Sequence, residues 1–251
     1  MRKISATIIT YNEEKNIERC LKSLQGIADE IIVVDSFSND NTINICEKYN
    51  VKIFQNPFEG YSAQKRFAIS KSSFDFILSL DADEALSEEL KNSILDFKKN
   101  NEFDAYQCNR ITNFCGSWIK HGGWYPDKQL RLWNKQSGDW NNSKIHEKVE
   151  LNTNVKPGQL KGDLLHYSYY TIEEYITQLN KFSNLKADEL IRKGKKANVF
   201  LLLFKPFIKF VINYFLKLGF LDGYYGFVLG VSSAYATFIT YVKLNYKLKN
   251  K

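Results

Sequence analysis

The tripeptide Asp81-Ala82-Asp83 follows directly on the apolar run Phe74-Asp75-Phe76-Ile77-Leu78-Ser79-Leu80. Side chains of an extended segment alternate between faces, so Asp81 and Asp83 leave the end of such a strand on the same side. Two carboxylates there supply hard oxygen ligands, the kind that hold Mg2+ or Mn2+ together with substrate phosphates. A structural alternative is that Asp-x-Asp only opens a turn ahead of a helix capped at Ser87-Glu88-Glu89-Leu90. Two further polar segments tip the balance. Thr10-Tyr11-Asn12-Glu13-Glu14 follows one apolar run, and Asp35-Ser36-Phe37-Ser38-Asn39-Asp40-Asn41-Thr42 closes the next. Asn12, and Ser38 or Asp40, are candidate helix caps, so part of this polarity is structural. In an open α/β sheet, however, ligands bind at the carboxyl ends of the strands, where all three segments fall.

The elements that would carry these residues alternate. The pattern predicts strands over Ile4 to Ile9, Glu30 to Val34, Val51 to Phe54 and the run ending at Asp81. Helices are predicted over Glu13 to Leu24, Thr42 to Tyr49, Ser62 to Ser70 and Ser87 to Lys99. Near-continuous Ile/Val/Leu strands separated by helices define an α/β fold with a parallel sheet covered on both faces. From Phe103 to about His166 short β-like runs broken by glycines take over, and Trp118, Trp124, Trp133 and Trp140 all fall there. Such aromatics suit a glycan site, but each tryptophan taken singly is better read as core. Beyond Thr171 the chain reads as helical: Ile172 to Lys193, Asn198 to Leu216, and Gly223 to Val242. The last is free of charge and about 30 Å long if helical, the thickness of a bilayer core. Its Gly, Ser, Thr and Tyr content favours an in-plane or re-entrant membrane helix over a span, with a buried helix of a soluble bundle as the further alternative. The expected organisation is a domain over 1–170, with halves 1–100 and 101–170, and a basic apolar tail over 171–251.

The 251-residue chain has a formal charge of +7, unevenly spread: residues 192–251 hold eleven Lys or Arg against the single acid Asp222. Basic residues interleaved with long apolar runs point to an anionic membrane surface and away from nucleic acid. Cys20, Cys46, Cys108 and Cys115 form no Cys-x-x-Cys pair, and a chain this long needs no disulfide staples. With no signal-peptide pattern after Met1, the expected location is the cytoplasmic face of the inner membrane.

Together the three strand-end segments resemble the nucleotide-sugar half of family 2 inverting glycosyltransferases, which have the GT-A fold. In that resemblance Tyr11 and Glu13 hold the uridine and Asp35 the base or ribose. Asp81, with Ala82 beside it, faces the ribose or diphosphate, and Asp83 ligates the metal. Many relatives carry a second acid after Asp35, where this chain has Ser36. Lys65, in Gly60-Tyr61-Ser62-Ala63-Gln64-Lys65-Arg66, falls where relatives often place a basic residue near the diphosphate; a solvated helix-face lysine is the alternative. Trp124-Tyr125-Pro126-Asp127-Lys128-Gln129-Leu130 resembles the Glu-Asp-x-x-Leu segment that supplies the general base, with Pro126 in place of the Glu, which implies Asp127 as the base. In Ile145-His146-Glu147, His146 would complete the metal site, or Glu147 would be the base instead. His121 and His166 lie in no readable motif. The layout is most similar to lipopolysaccharide or lipooligosaccharide core glucosyltransferases. That implies Mg2+ or Mn2+, a UDP-hexose donor, UDP-glucose above others, and a lipid-linked glycan acceptor. The alternatives are a polyprenyl-phosphate glycosyltransferase and a non-catalytic nucleotide-sugar-binding scaffold.

Overall fold

The computed structural model describes residues 1–100, 102–142, 147–196 and 198–250. The chain forms two compact units, residues 1–110 with 127–167 and residues 111–126 with 168–251. Residues 111–126, expected within the first domain, thus group with the C-terminal helices. The reason is a shared apolar cluster: Phe114 and Ile119 pack with Tyr175, Leu179 and Leu229.

In the first unit, β1 (Ile4–Thr10), β2 (Glu30–Asp35), β3 (Lys52–Gln55) and β4 (Phe76–Asp81) pair in parallel in the order β3-β2-β1-β4. Helices α1 (Ile17–Leu24), α2 (Thr42–Cys46), α3 (Tyr61–Ser70) and α4 (Glu88–Lys99) alternate with them. Beyond β4 the sheet continues antiparallel through β8 (Asp127–Asn134) and β6 (Ala105–Phe114), then β11 (Gly158–Tyr169) and the short β5 (Glu84–Leu86). A separate ladder joins β9 (Gly138–Trp140) to β10 (Val149–Leu151). The central strands are buried almost throughout, as apolar runs covered by helices must be. Register levels their ends: Thr10 pairs with Asp35 and Ile9 with Asp81.

Ser87 caps α4 as expected, its hydroxyl accepting from Leu90 N at 3.2 Å. The first two helices differ from expectation. α1 starts at Ile17 rather than Glu13, with Asn12 in the left-handed region (φ 55°), and Asn12 and Ser38 cap no helix, whereas Asp40 Oδ1 accepts the N–H of Thr42, the first residue of α2, at 2.9 Å. Instead the two loops cross-link: Asn12 N donates to Ser38 Oγ, Asn39 N to Asn12 Oδ1, Glu13 N to Thr42 Oγ1 and Glu14 N to Asp40 Oδ2. Trp133 and Trp140 are core residues, edge-to-face at 6.0 Å.

The second unit contains β7 (Ser117–Ile119), which pairs with the end of β6, and helices α5 (Ile172–Arg192), α6 (Val199–Val211) and α7 (Gly223–Lys249). Thr171 and Glu174 close a capping box on α5. Between α6 and α7 the chain makes a π-helical turn, Ile212–Leu216, and a 3-10 turn, Gly219–Asp222. The helical stretch Gly219–Lys249 contains an 18-residue window of mean hydropathy 1.3, long and apolar enough by length and composition to cross a membrane.

Candidate active site

Asp81 closes β4 and is held by two cations. Lys65 Nζ of α3 lies 2.8 Å from its Oδ1, and Arg131 Nη2 of β8 lies 3.3 Å from its Oδ2. Burial alone would raise the Asp81 carboxyl, but the charges of Lys65 and Arg131 outweigh it and hold it well below the usual carboxylate range. Lys65 is 3% exposed, so the solvated alternative does not hold; its ammonium also sits 4.4 Å above the Trp140 ring.

The chain then turns through buried Ala82 and Asp83 into β5, whose first residue, Glu84, is 1% exposed. Glu84 Oε2 accepts Asp81 N at 3.0 Å, while Oε1 accepts Arg131 Nη2 at 2.5 Å and Arg110 Nη1 at 3.3 Å. A buried carboxylate with two guanidiniums and a backbone amide is fully compensated. Arg110 in turn places Nη2 2.7 Å and Nε 2.9 Å from Asp127 Oδ2, and Gln129 Nε2 donates to Asp127 Oδ1 at 2.9 Å. A chain of charges therefore runs Lys65–Asp81–Arg131–Glu84–Arg110–Asp127, tying the Asp-x-Asp turn to the expected base.

Asp83 faces a different partner, His166 of β11, with Nε2 at 3.1 Å from Oδ2. Burial disfavours the charged imidazole, yet the bond and charge of Asp83 raise the His166 pKa above its ordinary value. Glu13 completes the acidic edge. Its Oε2 accepts Asn16 Nδ2 at 2.8 Å, and its pKa is pushed up to about 7, first by burial and then by the charges of Asp83, Asp40 and Asp81. Tyr11 is exposed at the same edge. Asp35, level with Thr10, is fully buried and accepts from Ser38 N, Ser38 Oγ and Gln55 Nε2. Glu147 is half-buried, and its charge reaches Tyr61, whose phenol is raised first by burial and then by Glu147, Asp81 and Asp83. His146 lies outside the described residues.

The strand ends thus bring together Tyr11, Glu13, Lys65, Asp81, Ala82 and Asp83, with Asp127 joined through arginines. Glu84, Arg110, Arg131 and His166 were absent from the expected set. Arg131 carries a legible signal: a charge inside the alternating run Leu130-Arg131-Leu132-Trp133 must find a buried partner. His166 has none, because only the return of β11 beside β5 carries it to Asp83.

Among the described residues no three His, Cys, Asp or Glu side chains converge as a ready metal cage. The acidic edge nonetheless fits a divalent cation shared with a diphosphate. Asp83 is partly exposed, and the mutual repulsion registered at Glu13 is what such a cation relieves.

This strand-end geometry, on a mixed α/β sheet whose strands β3-β2-β1-β4 are parallel, is that of the GT-A glycosyltransferases. The chain belongs to glycosyl transferase family 2, whose family model matches residues 5–152. It is 35% identical to an uncharacterised glycosyltransferase of Rickettsia typhi over 97% of this chain and 87% of the relative. It is 31% identical to the lipopolysaccharide core biosynthesis glycosyltransferase LpsC of Rhizobium meliloti over 96% of this chain and 91% of LpsC. Among solved structures the fold is similar to a mannosyltransferase of Pyrobaculum calidifontis in complex with GDP-Man and Mn2+, with a TM-score of 0.55 at 13% identity over 98% of this chain and 88% of that one. It is also similar to S. aureus TarS 1–349, with a TM-score of 0.50 at 17% identity over 99% and 91%.

Proposed function

We propose that this glycosyltransferase is a metal-dependent inverting hexosyltransferase that moves a sugar from a UDP-hexose, UDP-glucose above others, onto a lipid-linked glycan of the lipopolysaccharide core. The observation that carries the reading is the level acidic edge, where Glu13, Asp81 and Asp83 meet at the carboxyl ends of neighbouring parallel strands. The 31% identity to LpsC supports the acceptor class.

In this reading Tyr11, Glu13 and Asp35 take the uridine. Lys65 and Arg131, by neutralising Asp81, keep the edge from repelling the diphosphate. Asp83, with His166 behind it and His146 as a further candidate, would hold Mg2+ or Mn2+, which when bound would neutralise charge on the leaving diphosphate. Asp127 takes the proton of the acceptor hydroxyl as its oxygen attacks the anomeric carbon and the bond to the diphosphate oxygen breaks. Arg110 and Gln129 fix the orientation of that carboxylate. Glu147 is the second candidate base.

A lipid-linked acceptor accounts for the tail. Phe207 and Leu216 are 66% and 73% exposed, and Phe200, Leu203, Phe215 and Tyr224 are exposed too, on a segment with eleven basic residues against one acid. Such a surface binds an anionic leaflet as an in-plane helical patch, at the cytoplasmic face of the inner membrane.

Calorimetric titration with UDP-glucose, UDP-galactose, UDP-N-acetylglucosamine and GDP-mannose, in Mn2+ and in chelator, tests the donor half. Tight binding of one UDP-sugar, lost in chelator and in Asp83→Asn, is expected. Preference for GDP-mannose, or binding indifferent to chelator, would overturn it.

A further inference from the structure

The second unit holds a polar centre that the sugar-nucleotide edge does not use. The Asp222 carboxylate, 7% exposed, accepts His121 N at 2.7 Å and Lys120 N at 3.1 Å, and faces His121 Nδ1 at 2.8 Å. A carboxylate already engaged by backbone amides takes its third bond as an acceptor as well. Nδ1 therefore carries a ring proton, which leaves Nε2 as the second polar atom of the ring.

The backbone around this pair is unusual. The π-helical turn Ile212–Leu216 leads to Leu218 in the left-handed region (φ 57°). α7 then approaches so closely that a Cβ on Gly226 would stand 1.8 Å from Gly219 O. A membrane patch requires none of this, whereas π turns and left-handed non-glycine residues concentrate at functional sites. Beside the pair lies a narrow cavity of about 10 Å3, room for one water-sized group, with His121, Trp124, Asn213 and Asp222 on its wall. Asn213 is 6% exposed, and its Oδ1 has no hydrogen-bond partner. A buried amide oxygen left so costs free energy until a donor reaches it. Lys217 lies across the mouth of the His121-Gly122-Gly123 turn, its Nζ 2.7 Å from where a Cβ on Gly123 (φ 85°) would stand.

We propose that His121, held by Asp222, is the centre of an acceptor-sugar subsite in the second unit: one sugar hydroxyl donates to Asn213 Oδ1, another hydrogen-bonds His121 Nε2, the sugar packs on Trp124, and Lys217 pairs with a phosphate or carboxylate on the same sugar. This rests on the glycosyltransferase reading and adds to it the side chains that select an acidic acceptor. The narrow cavity admits a hydroxyl arm rather than a whole ring.

The test uses full-length protein labelled with 15N-histidine, assigned through His121→Gln, and titrated with deacylated lipopolysaccharide core oligosaccharide, with and without its phosphates. The His121 Nε2 resonance is expected to move on titration, and His121→Gln to weaken oligosaccharide binding about tenfold, the effect of one lost hydrogen bond. Removing the phosphates is expected to weaken binding to wild type but not to Lys217→Gln. Because Asp222→Asn replaces one of the two acceptor oxygens shared by two backbone amides and the His121 ring, and can impair folding, His121→Gln is the deciding variant, with UDP-glucose binding measured alongside. Oligosaccharide binding that leaves His121 unmoved, equal affinity in His121→Gln, or no binding to wild type would overturn the subsite. Failure of wild type to bind any UDP-sugar would instead overturn the donor reading, because oligosaccharide binding is measured without donor.

Discussion

At the scale of single residues, Asp127 and Glu13 are the most exposed to test. Asp127→Asn keeps the shape and one acceptor oxygen for Arg110 but cannot take a proton. Turnover is expected to fall at least 100-fold with little change in UDP-sugar affinity, as steady-state kinetics beside calorimetry will show. A loss of donor affinity with turnover intact would move the base to Glu147. Glu13 has a pKa near 7 in the folded protein against 4.5 in the open chain. The folded state therefore keeps a proton that the unfolded chain releases. Its stabilising contribution is full below about pH 4.5 and is lost as the pH rises through about 7. Urea denaturation at several pH values should show this slope in wild type and lose it in Glu13→Gln. The types of both residues were legible in the sequence. The clamp of Arg110 and Gln129 on Asp127 was not, because it depends on β6 lying beside β8.

At the scale of elements, the hairpin-like turn from β4 into β5 puts an acid, Glu84, inside the sheet. It survives there only through Arg110, Arg131 and Asp81 N. Glu84→Gln leaves Arg131 with Asp81 alone and is expected to destabilise the protein by about 3–5 kcal/mol, the usual cost of breaking a buried pair. A chemical denaturation midpoint unchanged from wild type would show that the pair is dispensable. The parallel strands and α4 were readable because apolar continuity and a Ser cap are local signals. The start of α1 was not: Glu13 belongs to a loop fastened to the Ser38–Thr42 segment, and that fastening is a contact between residues far apart in the chain.

At the scale of the whole molecule, the tail is more than an appendage. Leu229 of α7 packs with Phe114, Tyr175 and Leu179, so deleting residues 198–251 would unroof that core and would not report on membranes alone. Substitution at the surface is the cleaner probe. Phe207→Ser with Leu216→Ser removes two exposed side chains, each contributing roughly 1.5–3 kcal/mol when buried in a lipid interface. Co-sedimentation with anionic vesicles is expected to fall at least tenfold, with circular dichroism unchanged, and to weaken as salt is raised. Undiminished sedimentation would remove the membrane role of this face. By itself the sequence determined the alternation of strand and helix, the polar strand ends and the basic apolar character of the last sixty residues, because hydrophobic period and residue type are local properties. Only the tertiary structure decided which charges meet. Lys65 reaches Asp81, Arg131 and Arg110 reach Glu84, His166 reaches Asp83 and His121 reaches Asp222, each across an interval of chain that only folding closes.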